Sequence, residues 1–70
     1  NAAVLFRAVE QLPGNQKTAF VLNKVEGLSY IEIGNVLKIS DSAVDALLQR
    51  ARANLKKILK EYYSSFNKEG

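Results

Sequence analysis

Apolar side chains recur along this chain at steps of three and four, in four blocks set apart by short polar breaks. In the first block Val4, Leu5, Ala8, Val9 and Leu12 share one face of a helix over about residues 2–11. Leu12-Pro13-Gly14-Asn15 ends it: proline disfavours the helical conformation in the residue before it, and Gly-Asn is turn chemistry. Asn15 is the expected cap of a second helix over about 15–26, with Ala19, Phe20, Leu22 and Val25 turned inward. Gly27 is expected to close that helix in the left-handed conformation. Ser29-Tyr30-Ile31-Glu32 has the form of a capping box and opens a short third helix over about 29–38, with Leu28 positioned to pack on Ile33. Ser40 caps a fourth helix over about 41–62, with Asp41 in its electropositive first turn. Along it Val44, Leu47, Leu48, Ala51, Leu55, Ile58, Leu59 and Tyr62 make one continuous stripe. Residues 64–70 are polar and are expected to fray into a flexible tail. The predicted fold class is therefore all-α: a small four-helix domain over residues 1–63 whose last helix is long.

The third and fourth helices carry the most specific local signal. A short helix, a three-residue turn at Lys38-Ile39-Ser40 and a longer helix make the outline of a helix-turn-helix, which places its second helix in the DNA major groove. The two helices must approach closely, and Gly34 stands where a side chain would hold them apart. Ile33, Leu37, Ile39, Val44 and Leu47 supply the shared core around it. Glycine commonly starts such a turn; here Lys38 does, and a positive φ there costs on the order of 1 kcal/mol. A plain helical hairpin inside a bundle predicts the same core.

Composition narrows the chemistry. The 70 residues include no cysteine and no histidine, so there are no disulfides, no thiolate zinc site and no cysteine or histidine catalysis. A glycine-rich phosphate loop and clustered carboxylates are also missing from the sequence, which argues against an enzyme. No cofactor is implied. Apolar runs fall well short of the roughly 20 residues of a membrane span, and no signal peptide is visible. The net charge is only +3, but Arg50, Arg52, Lys56, Lys57 and Lys60 fall in one segment with no acid between them. That stripe fits a nucleic-acid footprint, but charge alone slightly favours a solvated helix end in which cations favour the macrodipole. Tyr62, Tyr63 and Phe66 fit either the end of the apolar stripe or a partner-docking patch, the stripe being favoured for Tyr62.

Several of these residues together resemble a known family. Leu12-Pro13, Gln16-Lys17, Phe20, Leu22, Val25-Glu26-Gly27-Leu28-Ser29-Tyr30, Glu32-Ile33, Val36-Leu37, Ile39-Ser40, Val44, Leu48 and Gln49-Arg50-Ala51-Arg52 with Leu55 are similar to region 4 of bacterial sigma factors, most of all the extracytoplasmic-function (ECF) group. The resemblance covers about residues 4–60. It implies a fragment of a bacterial, cytoplasmic transcription initiation factor that binds the promoter −35 element as duplex DNA. It also implies docking on the flap of the RNA polymerase β subunit, and a possible anti-sigma partner. A chain starting at Asn1 without methionine fits such a fragment.

Carried over by position, the base-reading residues would be Ser42, Ala43, Asp45, Ala46, Gln49 and Arg50. Lys17, Ser29, Tyr30, Lys38, Ser40 and Arg52 would lie near phosphates. The chemistry is compatible: glutamine suits adenine, arginine suits guanine, aspartate accepts from cytosine N4, and serine hydroxyls with helix N-terminal amides suit phosphate. The sequence departs from the family pattern at Asp45 and Leu47, where basic residues are frequent, and at Ala43, where threonine is. An acid facing DNA lowers affinity or shifts the preferred sequence. Two alternatives remain: the helix-turn-helix output domain of a dimeric regulator, and a protein-interaction module for an anti-sigma-like partner.

Overall fold

The computed structural model describes the backbone of residues 2–68 and the side chains of residues 2–64. Four helices follow in order: α1 (Ala2–Glu10), α2 (Gly14–Lys24), α3 (Tyr30–Leu37) and α4 (Asp41–Lys68). All three shorter helices pack against α4, and α2 also touches α1 and α3. The result is elongated, 46 × 19 × 15 Å, because α4 is longer than the body it organises.

The core is wholly apolar. Ala8, Val9 and Leu12 enter it from α1 and the following link, Ala19 and Phe20 from α2, Ile33 from α3, and Val44, Leu48, Ala51 and Leu55 from α4. Among the described residues no polar or charged side chain is buried. The expected inward faces of α1, α3 and α4 are thus largely present, with three corrections. Leu5 is mostly outside the core; Val25 lies in water because α2 ends one residue before it; and Tyr62, beside Ala3 and Val4 of the first turn of α1, stays largely exposed.

The caps divide in the same way. Ser29 forms the full capping box: its Oγ accepts from the Glu32 N–H at 3.1 Å, and Glu32 Oε1 accepts from the Ser29 N–H at 2.8 Å. Ser40 Oγ accepts from the Ala43 N–H at 3.1 Å. Gly27 has the expected positive φ of 74°. Asn15, however, does not cap α2. Pro13 takes that place with extended backbone (φ −56°, ψ 152°), and its carbonyl accepts the first helical bond from the Lys17 N–H. Asn15 therefore lies one residue inside the helix. At the other end, α4 runs to Lys68 instead of stopping near residue 62, because no glycine or proline interrupts residues 41–68 and two serines are too weak a breaker to stop it. Glu69 and Gly70, the last residues of the expected tail, lie outside the described residues, as does the Phe66 side chain.

Candidate nucleic-acid interface

The approach of α3 to α4 begins with a missing side chain. A Cβ built on Gly34 would stand 2.7 Å from the Ile39 carbonyl oxygen and 3.6 Å from Val44 Cγ2. The backbone of the turn therefore passes directly over Gly34. The Gly34 carbonyl accepts from the N–H groups of both Lys38 and Ile39, which pins the turn from beneath. Lys38 adopts the left-handed conformation (φ 60°, ψ 46°), as its place in the turn requires. Ile33 and Val44, both fully buried, lock the two helices behind it.

This fixes the start of α4 in space. Ser42, Ala46, Gln49 and Arg50 are exposed along it, and Ala43 and Asp45 are half-buried at its flanks. Ser42, Asp45, Ala46 and Gln49 stand at i, i+3, i+4 and i+7 and so share one face, opposite the buried Val44, Leu48 and Ala51. Two groupings form on and beside that face. Gln49 Nε2 donates to Asp45 Oδ2 at 2.9 Å. Ala43, Ala46 and Arg50 instead line a shallow groove of about 320 Å³ with Asn15, Leu37, Ile39 and Leu47.

The residues expected near phosphates lie on α2, α3, the turn and α4. Lys17, Ser29, Lys38, Ser40 and Arg52 are exposed, and Tyr30 is half-buried. Both serines have an oxygen lone pair committed to a helix cap, so each hydroxyl still has its proton to donate outward. Arg52 Nη2 donates to the Tyr30 hydroxyl at 3.4 Å, a long bond that ties the start of α3 to the middle of α4. The Ser29 backbone and hydroxyl bonds hold the Glu32 carboxyl below its ordinary pKa. Sequence reasoning missed a second brace: Asn54 Nδ2 donates to Gln16 Oε1 at 2.7 Å, joining α2 to α4. Residues 38 apart carry no local signal for such a pair. The Asp45–Gln49 bond did have one, the i,i+4 spacing of an acceptor and an amide.

A different surface lies on α1 and α2. Leu5, Phe6 and Val25 are exposed around a groove of about 290 Å³ whose other walls are Val9, Phe20, Val21 and Lys24. Among the described residues no three acidic side chains gather to hold a metal ion, and no helix is long and apolar enough to cross a membrane.

Four helices with a turn clamped over Gly34 and an exposed, capped α4 define a helix-turn-helix domain of the DNA-binding type. The family model described as "Sigma-70, region 4" matches residues 3–55, more than half of the chain, and the chain belongs to that family. Its members are non-enzymatic domains that bind promoter DNA and RNA polymerase. No curated protein and no solved structure matches the chain. The match stops just before Lys56, Lys57 and Lys60, so the basic end of α4 lies beyond the shared segment.

Proposed function

We propose that this chain is the −35-reading domain of an ECF-type sigma factor, and that the first turns of α4 lie in the major groove of the promoter. The observation that carries this reading is the presentation of Ser42, Ala46, Gln49 and Arg50 on an exposed face held rigidly by the Gly34 clamp. A reading helix must hold its side chains in fixed register against base edges, and a buried Ile33–Val44 contact behind a pinned turn provides that. Lys38, the hydroxyl protons of Ser29 and Ser40, Tyr30 with Arg52, and Lys17 at the α2 side then grip phosphates and set the docking angle. The amides of Asp41 and Ser42, ahead of the α4 hydrogen-bond ladder, add a further anion-facing end.

The same domain docks on the polymerase β flap through the apolar face of Leu5, Phe6 and Val25, which shares no residue with the DNA face. An anti-sigma protein competing for that face gives the second reading, an interaction module; the acid at Asp45 on the reading helix favours it. Selection of duplexes from a random pool at low salt, by the chain alone and by the chain fused to the polymerase flap, separates these readings. One short asymmetric motif, whose preference is lost in Gln49→Ala or Arg50→Ala, is the expected result. A palindrome identifies a dimeric regulator instead. No enrichment in either format leaves the interaction module.

A further inference from the structure

We infer that the Asp45–Gln49 pair selects, at one position of the duplex, a base with an exocyclic amino group on the contacted strand: adenine or cytosine over guanine or thymine. The inference rests on the proposed placement of α4 in the major groove. Its observation is the 2.9 Å bond from Gln49 Nε2 to Asp45 Oδ2 on the exposed face of the reading helix.

That bond fixes the glutamine amide. Turned the other way, its oxygen would face the carboxylate, acceptor against acceptor. With one N–H committed to Asp45, Gln49 has one N–H and its Oε1 left to offer. The ionised carboxylate offers acceptors only, with several lone-pair directions still open. The pair as a unit is therefore rich in acceptors and negatively charged. Arg52, about two turns beyond Asp45 on the same edge of the helix, is bonded to the Tyr30 hydroxyl. Asp45 thus faces the groove with an amide, not a cation, as its partner.

In the major groove the only hydrogen-bond donors are the N6 amino group of adenine and the N4 amino group of cytosine. Guanine shows two acceptors there, and thymine an acceptor and a methyl group. An acceptor-rich pair finds a partner for its carboxylate in either amino base; on either of the others only the free Gln49 N–H finds an acceptor, and the carboxylate meets like polarity. Every base pair carries one amino base, so what the pair reads is which strand carries it. Arg50, the residue suited to guanine, stands on the other flank of the helix and reads independently.

The test repeats the duplex selection with wild-type chain and Asp45→Asn, each alone and fused to the polymerase flap, with circular dichroism confirming equal helicity. Asparagine keeps the shape and the acceptor but adds a donor and removes the charge. The wild-type motif is expected to contain one position at which adenine and cytosine outnumber guanine and thymine about tenfold or more, as a good base contact supplies. In Asp45→Asn that ratio falls to about twofold or less, a near-complete loss of one contact's discrimination, with neighbouring positions unchanged. A wild-type motif lacking such a position, or an unchanged ratio in Asp45→Asn, overturns the inference and leaves the promoter-reading function standing. No motif from either chain in either format overturns both.

Discussion

At Gly34 a single methyl group decides whether α3 and α4 can meet. Gly34→Ala improves intrinsic helix propensity by about 1 kcal/mol. Against that, the new Cβ would stand 2.7 Å from the Ile39 carbonyl, a backbone atom that cannot swing aside. Overpacking of this kind costs about 1–3 kcal/mol, and the low end does not apply to a backbone contact, so the loss wins. A thermal melt of Gly34→Ala is expected to fall by about 5 °C or more, given the size of the domain. DNA affinity should fall further than stability alone explains, because the start of α4 is re-aimed. An unchanged melting temperature would show that the turn is not tight. Lys38 is the complementary case: a long cationic side chain in a left-handed backbone that glycine would adopt freely. That backbone cost is tolerable where the side chain reaches a phosphate.

At the scale of the helix, α3 depends on its first turn. It has only eight residues, too few to be stable without caps and packing. Glu32 is held below its ordinary pKa by the Ser29 bonds. A group whose pKa is lower in the folded state stabilises above its unfolded pKa, and that contribution is lost as pH falls through the folded value. Acid titration followed by circular dichroism should therefore show wild-type stability declining below the ordinary glutamate range. Glu32→Gln should lack that component of the decline; an identical acid profile in the two chains would refute the assignment. For α4, Lys56, Lys57 and Lys60 continue the face begun by Ser42 and Gln49, past the segment shared with the family. If all three meet phosphates, changing them to alanine lowers the log–log salt slope of duplex binding by about 2.7, at about 0.9 per phosphate. An unchanged slope would mean that the end of α4 stands clear of the duplex.

The helices also show what the sequence could convey. The Ser29–Glu32 box and the Ser40 cap were legible because each side chain acts on its own neighbouring backbone. The left-handed Gly27 and Lys38 were legible from turn chemistry. Pro13 displacing Asn15 was not, since that choice hangs on the ψ of one residue, which packing of α1 on α4 helps to set. Nor was the exposure of Val25 and Tyr62: periodicity marks an apolar face without saying how far the neighbouring helix covers it. In the candidate site, the shared outward face of α4 followed from helical spacing, whereas the Gln16–Asn54 and Tyr30–Arg52 links join distant residues and leave no periodic trace.

For the whole molecule, two surfaces with different chemistry occupy different helices. The proposed DNA face is polar and carried by α3 and α4; the Leu5–Phe6–Val25 face is apolar and carried by α1, α2 and the residue that follows α2. This separation makes Phe6→Asp a clean probe. Phe6 is 59% exposed, so the change should leave the melting temperature within about a few degrees, as expected for a surface position. It should weaken binding to polymerase core about tenfold, the effect of losing a buried aromatic anchor, while affinity for naked duplex stays the same. Equal loss in both assays would mean that the two surfaces are not independent.

One helix is the hub of the core and, in the proposed function, also the reader, and that joins two equilibria. Every shorter helix rests on α4, so a chain that loses its fold loses its reading face in the same event. The converse also holds: a duplex that grips α4 binds only the folded chain and draws the population toward it. At a hundred times its dissociation constant such a duplex adds about 2.7 kcal/mol to the folded state, comparable to the loss from truncating one core leucine such as Leu48. In a domain this small that is a large share of the total. The promoter is then a component of the fold's own stability, and a core variant half unfolded in free solution should be rescued on its cognate site.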